Sequence, residues 1–407
     1  MADYDAIVIG AGPAGNAAAF DLARAGARVA LIERQVLPRH KTCGGGMPMT
    51  VAAALMLGEI HDLAPEAFVE ARTRYMRHTW KFDDPYLAAM NPDDPETGEL
   101  SLWMVRRSVF DHALAARAAC AGAELRDGLA VGAIEPENGG AVRVRAAGKS
   151  GEWSGTCDFV IGADGANGMT ARSIGLRRDR ALAIAIEVEA PHSWGEGHPD
   201  LRRDVCHLEY GAVRSGYAWV FPKDDHLNVG AGVFRPRPDR RGDPAVRDEL
   251  HRAILDYLKL LGVPKQPEEL VFHAHPLPIW NGRETLQDRT GRVLLAGDAA
   301  GLINPFFGDG ILHALKSGRI AAASILERRT DRYSEAIADE FRANFDAALR
   351  MAKLFYQWPA LCYRFGVLRP GATRTATRLL TGDLRFDQIS SRVTRRLRKA
   401  LNRSERQ

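Results

Sequence analysis

No stretch of this 407-residue chain approaches the roughly 18 uncharged apolar residues of a membrane span, so any membrane contact is expected to be peripheral. Cysteine is scarce. Cys43, Cys120, Cys157, Cys206 and Cys362 are odd in number and show neither a Cys-x-x-Cys pair nor a metal-ligand spacing. That argues against a disulfide framework and a zinc module, and it reads as a reducing compartment with no metal. Charge of one sign is also lacking: the formal balance is +4, with no basic recognition motif in the body of the chain, which argues against nucleic acid. The basic residues gather instead at the end, in Arg395, Arg396, Arg398, Lys399, Arg403 and Arg406, as a solvated helix face or frayed tail, with a patch for a membrane surface or an acidic partner as the lesser reading. Met1-Ala2-Asp3-Tyr4 lacks the charged and apolar regions of a signal peptide, so the expected location is cytoplasmic, with the inner face of a membrane as the alternative. Internal repeats and low-complexity segments are missing too.

What is present begins at Gly10-Ala11-Gly12-Pro13-Ala14-Gly15, directly after the apolar run Ala6-Ile7-Val8-Ile9. Gly10 permits a tight turn, Gly12 lets backbone approach a pyrophosphate, and Gly15 lets the following helix pack on the strand. The helix then offers free N–H groups to phosphate. A second strand, Arg28-Val29-Ala30-Leu31-Ile32, delivers Glu33, with Arg34 beside it, about 20 residues on, where a carboxylate accepts from both hydroxyls of an adenosine ribose. This is a dinucleotide-binding βαβ unit suited to a free 2′-hydroxyl.

Along the chain, a Pro/Gly-rich loop (37–48) precedes a helical pattern at Val51–Leu57. Residues 74–102 read as strands in a hairpin-like excursion, and Val105–Ala121 as a helix. The buried strand Cys157–Ala163 ends in Asp164-Gly165, and a later strand, Val293–Ala296, ends in Gly297-Asp298. Between them, residues 181–275 read as short antiparallel strands with one helix near Ala245–Leu261. The expected fold class is α/β: a discontinuous Rossmann-like domain (1–75, 103–178, 289–330), an inserted antiparallel sheet domain (179–288, with the excursion 76–102), and a helical C-terminal region (331–407). Helical spacing at Leu354, Phe355, Trp358, Leu361 and Phe365 suits plain packing, a cover over a tunnel, or a face dipping into a monolayer.

Two further features carry chemistry. Tyr217, Trp219 and Phe221 alternate, which puts three aromatics on one face of a strand, as core packing or as the wall of an apolar channel. Cys43 stands in Lys41-Thr42-Cys43-Gly44-Gly45-Gly46, where a cation and free amides favour a reactive thiol over an inert one.

With these motifs the chain resembles FAD-dependent oxidoreductases related to aromatic hydroxylases, and within them the geranylgeranyl reductase family. The Gly10–Gly15 fingerprint with Glu33, the Asp164-Gly165 pair, and Gly297-Asp298 followed by Gly308-Asp309-Gly310-Ile311 are shared with the larger group. The Lys41–Gly46 loop, Tyr217-x-Trp219-x-Phe221-Pro222, and His275-Pro276-Leu277-Pro278 are similar to the reductase family. The resemblance implies FAD as cofactor, with Asp298 near its ribityl or pyrophosphate part, the Gly308, Gly310 and Ile311 amides facing the flavin, and Arg107 close by. It places Lys41, Cys43, Gly44 and Gly45 beside the flavin, and Tyr217, Trp219, Phe221, Pro222 and His275 along an isoprenoid tunnel. Gly168 stands where a Ser is usual, and Asp309 where a Glu is. The expected reaction is saturation of isoprenoid C=C bonds by flavin N5 hydride transfer plus protonation. NADPH or reduced ferredoxin is the external donor, since the one dinucleotide fingerprint serves FAD. The alternative is an FAD-dependent monooxygenase or halogenase acting on an apolar or aromatic substrate.

Overall fold

A computed structural model describes residues 2–49, 65–98, 100–176, 182–195, 197–235, 244–263, 265–282 and 285–389. The helical pattern at 51–57 and the basic cluster from Arg395 onward lie outside these ranges.

The apolar run of the first strand, Tyr4–Ile9, forms the middle of a seven-stranded sheet. It pairs in parallel with Val29–Ile32 on one side and with the long strand Gly151–Gly162 on the other. That long strand has two partners along its far edge. Its first half takes Val142–Gly148 antiparallel, and its end takes Val293–Leu295 in parallel. The sheet is therefore assembled from both ends of the described chain, and its parallel strands deliver Gly10, Asp164 and Gly297 to one edge, where ligands of such sheets bind.

Helices Pro13–Arg24 and Ile311–Leu326 cover one face of this sheet and cross very closely. A methyl group on Gly318 would lie 2.1 Å from the Ala14 carbonyl oxygen, so only glycine admits this crossing. Ala14, Ala18, Leu22, Ala314, Ala321 and Ala322 fill the seam.

A second seven-stranded sheet has the order His273–Pro278, Leu182–Pro191, His226–Arg235, Gly216–Pro222, Val205–Tyr210, Tyr75–Trp80 and Asp83–Ala89. Alternation splits each strand between two environments. Ala218, Val220, Val229, Ala231, Ile186 and Val188 pack beneath the helix Pro244–Leu260, against Leu250, Ile254 and Tyr257. Their neighbours, Tyr217, Trp219, Phe221, Gly230, Gly232 and Glu187, turn the other way, toward the edge of the first sheet. The hairpin of 75–89 turns at Lys81 and Phe82, both at positive φ, and adds two strands to this sheet. A small sheet of Gly46–Met49, Ser101–Val105 and Val69–Thr73 bridges the two. The C-terminal helices Tyr333–Gln357 and Ala372–Thr381 close over the gap. Among the described residues, no helix is long and apolar enough to cross a membrane.

Candidate active site

The nucleotide end is shaped by backbone. Gly10 has φ +103°, and a methyl there would lie 2.4 Å from the Ala163 carbonyl oxygen. One on Gly15 would lie 1.8 Å from the Gly10 carbonyl oxygen, so Gly15 packs behind the turn and does not line the cavity. Gly12 is the opposite case, with open space where its methyl would be. Pro13 and Ala14 begin a helix that no side chain caps, so its first N–H groups are available to an anion. Glu33, buried at the cavity wall beside Arg34, accepts from the Ala11 amide at 3.0 Å and the Gln35 amide at 3.1 Å. Asp164 accepts from the amide and hydroxyl of Thr170 on one carboxylate oxygen, while the other is buried without a partner among the described residues. A methyl on Gly168 would lie 2.1 Å from the Asp164 carboxyl carbon, so a larger residue there requires the carboxylate to shift. The open glycine turn and the uncapped helix fit the pyrophosphate of a dinucleotide, and the orphan carboxylate oxygen fits a hydroxyl donor of the same ligand.

Sequence reading missed the charge network behind this turn. Asp111 is wholly buried and holds Arg107 in a two-pronged pair at 2.9 Å, with Arg39 at 3.1 Å. Arg39 also reaches Glu33 at 3.3 Å. The Arg107 guanidinium in turn interacts with the Cys43 thiol.

The loop after Lys41 threads between the two sheets. The Cys43 amide donates to Glu187 at 2.6 Å, and the Gly45 amide points at the Cys43 sulfur at 3.4 Å. Gly45 has φ +71°, with the Val105 carbonyl oxygen only 2.2 Å from where a methyl would stand. A methyl on Gly44 would strike the Phe221 ring at 2.8 Å. Lys41 Nζ lies 3.1 Å from His275 Nε2, and that nitrogen is 3.8 Å from Asp298. Burial pushes the Lys41 ammonium and the His275 imidazolium below their usual ranges. For Asp298, burial raises the pKa, but His275, Lys41 and Arg107 together hold the carboxyl below its usual range. Gly308, Gly310 and Ile311 line the same region, and Asp309 lies 2.9 Å from His313.

Beyond this loop the same cavity continues; its whole volume, nucleotide end included, is about 1050 Å³. Tyr217, Trp219 and Phe221 form part of its floor, with ring centroids 5.9 and 6.1 Å apart along the strand. Trp219 lies flat over Gly230, where a methyl would be 2.1 Å from the ring, and donates from Nε1 to Asn228 at 2.9 Å. The Tyr217 hydroxyl donates to the Phe307 carbonyl at 2.6 Å. Pro222 differs from its expected place: strand parity puts it on the face opposite the three aromatics, and it does not line the cavity. Met351, Leu354, Phe355, Phe365, Leu379 and Leu380 complete the walls from the C-terminal helices, and Trp358 and Phe365 are 48% and 39% exposed.

Glu187 was the main omission. It is 3% exposed, and burial pushes its carboxyl up to about 7 against the opposing pull of the Cys43 amide, Asn228, Lys223 and Lys41. Lys223, within the aromatic strand's motif, donates to the Val105 carbonyl at 2.9 Å and anchors the loop from below.

Comparison with known proteins gives the family. Residues 3–341 match the FAD binding domain family. The chain is 32% identical to the geranylgeranyl diphosphate reductase of Synechocystis sp., over 78% of this chain and 74% of that one. It is also 32% identical to the chloroplastic geranylgeranyl diphosphate reductase of Oryza sativa, over 78% of this chain and 65% of that protein, so it spans just under two thirds of the plant relative. Menaquinone reductase of Mycolicibacterium smegmatis is 29% identical over 92% and 88% of the two chains. A geranylgeranyl bacteriochlorophyll reductase-like structure from Thermoplasma acidophilum superposes with a TM-score of 0.72 at 21% identity, covering 98% of this chain and 95% of that one. A flavin-dependent brominase does so at 0.70 and 20%, covering 99% of each. At such identities these two structures attest the shared fold alone. The chain belongs to the geranylgeranyl reductase family of FAD-dependent oxidoreductases.

Proposed function

We propose that this FAD-dependent reductase saturates C=C bonds in the isoprenoid chain of an apolar substrate. The observation that carries the reading is the continuity of one cavity from the Gly10 turn, past Cys43, to an apolar gallery floored by Tyr217, Trp219 and Phe221. Two relatives support the substrate class, one a geranylgeranyl diphosphate reductase and the other a menaquinone reductase.

The turn at Gly10–Ala14, with Glu33, Arg34, Asp164 and Gly165, would hold the nucleotide half of FAD, and Asp298, Gly308, Gly310 and Ile311 the remainder. Reduced flavin supplies a hydride at N5. An isolated trisubstituted alkene is not electrophilic, so hydride addition requires a proton at the other alkene carbon. Cys43 holds that proton, with the Gly45 amide and Arg107 set to bear the charge left on sulfur. Glu187 fixes the Cys43 backbone, and the faces of Trp219 and Tyr217 stabilise positive charge on the tertiary carbon by about 1–2 kcal/mol each when desolvated. Hydride and proton together would saturate one double bond, a proton from solvent would return to the Cys43 sulfur, and NADPH or reduced ferredoxin would supply the electrons for the next turnover. Trp358 and Phe365, exposed beside the gallery, suit contact with the lipid surface that supplies the substrate.

The test is anaerobic. The holoprotein is reduced with dithionite, geranylgeranyl diphosphate or geranylgeraniol is added, and flavin absorbance and product mass are followed. Reoxidation with a product heavier by two hydrogens is the expected result. Cys43→Ala keeps its FAD but slows reoxidation, and an unchanged rate removes the thiol from the mechanism. Flavin that stays reduced until air is admitted, then consumes O₂ rapidly, overturns the reading in favour of a monooxygenase or halogenase.

A further inference from the structure

Within the mostly apolar gallery, one buried polar cluster stands out. On the strand Tyr75–Trp80, His78 is buried at the cavity wall, with Nε2 3.0 Å from the Thr373 hydroxyl and Nδ1 3.4 Å from the Tyr210 hydroxyl. Its ring stacks between Tyr86 and Tyr210, at centroid distances of 6.2 and 6.0 Å. Met76, Cys206, Leu208 and Leu380 surround the trio. Burial pushes the His78 imidazolium down to about 4, so the group is uncharged near neutral pH.

Hydrogen counting then gives a chemical result. A neutral imidazole, a phenol and an alcohol carry three exchangeable hydrogens, and only two bonds join the three groups. Whichever tautomer His78 adopts, one hydroxyl hydrogen is left over, on Thr373 or on Tyr210. Among the described residues no hydrogen bond takes it up. Burying an unused donor is unfavourable, which makes this a polar point that an acceptor on a ligand would satisfy.

Register fixes where that point lies. Glu187, Gly230, Trp219, Leu208 and His78 are successive partners across five neighbouring strands. Four strand spacings separate Glu187, which grips the Cys43 amide, from His78, so the two ends of the row are about 19 Å apart, room for about four isoprene units. Near the His78 end, the exposed Arg369 and Gly371 also line the cavity, which marks its mouth.

We propose that His78, Tyr210 and Thr373 form a binding site for a single neutral oxygen, a hydroxyl or a carbonyl, at the head of the substrate. The isoprenoid tail then runs inward over Trp219 toward Cys43. The inference rests on the isoprenoid reading above for the identity of the tail, and it names the head: a polyprenyl alcohol or quinone-like group held at the mouth, in preference to a diphosphate.

Binding to the oxidised holoprotein tests this without turnover. Geranylgeraniol and the oxygen-free hydrocarbon of the same skeleton are titrated against tryptophan and flavin fluorescence. The double variant Tyr210→Phe/Thr373→Val removes both hydroxyls and preserves ring and branch. The wild type is expected to bind the alcohol more tightly than the hydrocarbon. The double variant is expected to weaken the alcohol by about threefold to tenfold and to change the hydrocarbon less than twofold, with FAD content unaltered. The two single variants locate the free hydrogen and serve if the double variant does not fold. Equal effects on both ligands, or no effect on either, overturn the site. Tighter binding of geranylgeranyl diphosphate than of the alcohol, lost in Arg369→Gln, overturns the neutral-oxygen assignment. Discrimination by the trio in a protein that no isoprenoid reoxidises upholds the site and overturns the reductase reading instead.

Discussion

Replacing Glu187 by glutamine should make the protein more stable at pH 8 and leave it nearly unchanged at pH 4.5. In the folded protein burial raises this carboxyl from its ordinary 4.5 to about 7, while in the unfolded chain it ionises normally. Below pH 4.5 both states carry the proton, and neither is favoured. Between 4.5 and 7 the unfolded state releases its proton while the folded state keeps it, so stability falls as pH rises through this window. The interval corresponds to about 3 kcal/mol, at about 1.4 kcal/mol per pH unit. A glutamine side chain does not titrate, and it still presents an oxygen to the Cys43 amide. For a chain of 407 residues, with an unfolding entropy of about 2.1 cal/mol/K per residue, 3 kcal/mol corresponds to about 4 °C in thermal midpoint. Thermal scans of wild-type and Glu187→Gln holoprotein from pH 4.5 to 8, compared at each pH and one scan rate, measure the difference directly. A difference that does not grow between pH 4.5 and pH 8 refutes the argument, because it means that Glu187 is ionised in the folded protein throughout.

Gly15→Ala places its methyl inside the contact distance of the Gly10 carbonyl, so the variant should be isolated without flavin; a full complement of FAD by absorbance would contradict the packing. Asp111→Asn leaves Arg107 and Arg39 buried beside a neutral amide and should destabilise the protein by about 3–5 kcal/mol, read from denaturant or thermal unfolding. Gly230→Ala drives the Trp219 ring up into the gallery, and should raise the KM for a long isoprenoid at least fivefold with FAD content unchanged; equal loss of FAD would mean that the floor and the cofactor seat are not separate.

Local features were legible where one short segment contains its own explanation. The Gly10–Gly15 turn and Glu33 could be read because their spacing lies within one βαβ unit, where Gly15 packs against the Gly10 carbonyl, and the stripe at 217, 219 and 221 because strand parity is a property of the strand alone. The same parity puts Pro222 behind the sheet, although the motif that contains it drew attention to the whole run. Glu187 was hidden because Glu187-Val188-Glu189 reads as a solvent-facing alternation, and only the loop of Cys43, 144 residues away, makes that face interior. His78 and Thr373 are 295 residues apart, and nothing in either segment announces the other. Asp111 is one helical turn from Arg107, a spacing that reads as an exposed pair until both are found buried.

The way the first sheet is assembled also sets a timetable for the protein's birth. Its strand Tyr4–Ile9 is synthesised about 290 residues ahead of Val293–Leu295 and the helix Ile311–Leu326, which cover and complete the sheet. At about 5–20 residues per second that is a wait of about 15–60 s, during which the whole second sheet can be synthesised. The nascent chain thus carries an uncovered apolar face, around Ala14, Ala18 and Leu22, through that interval, and FAD cannot meet a finished seat before those segments are made. In a cell producing this protein, chaperone capacity during elongation should limit the yield of yellow protein more than the supply of flavin does.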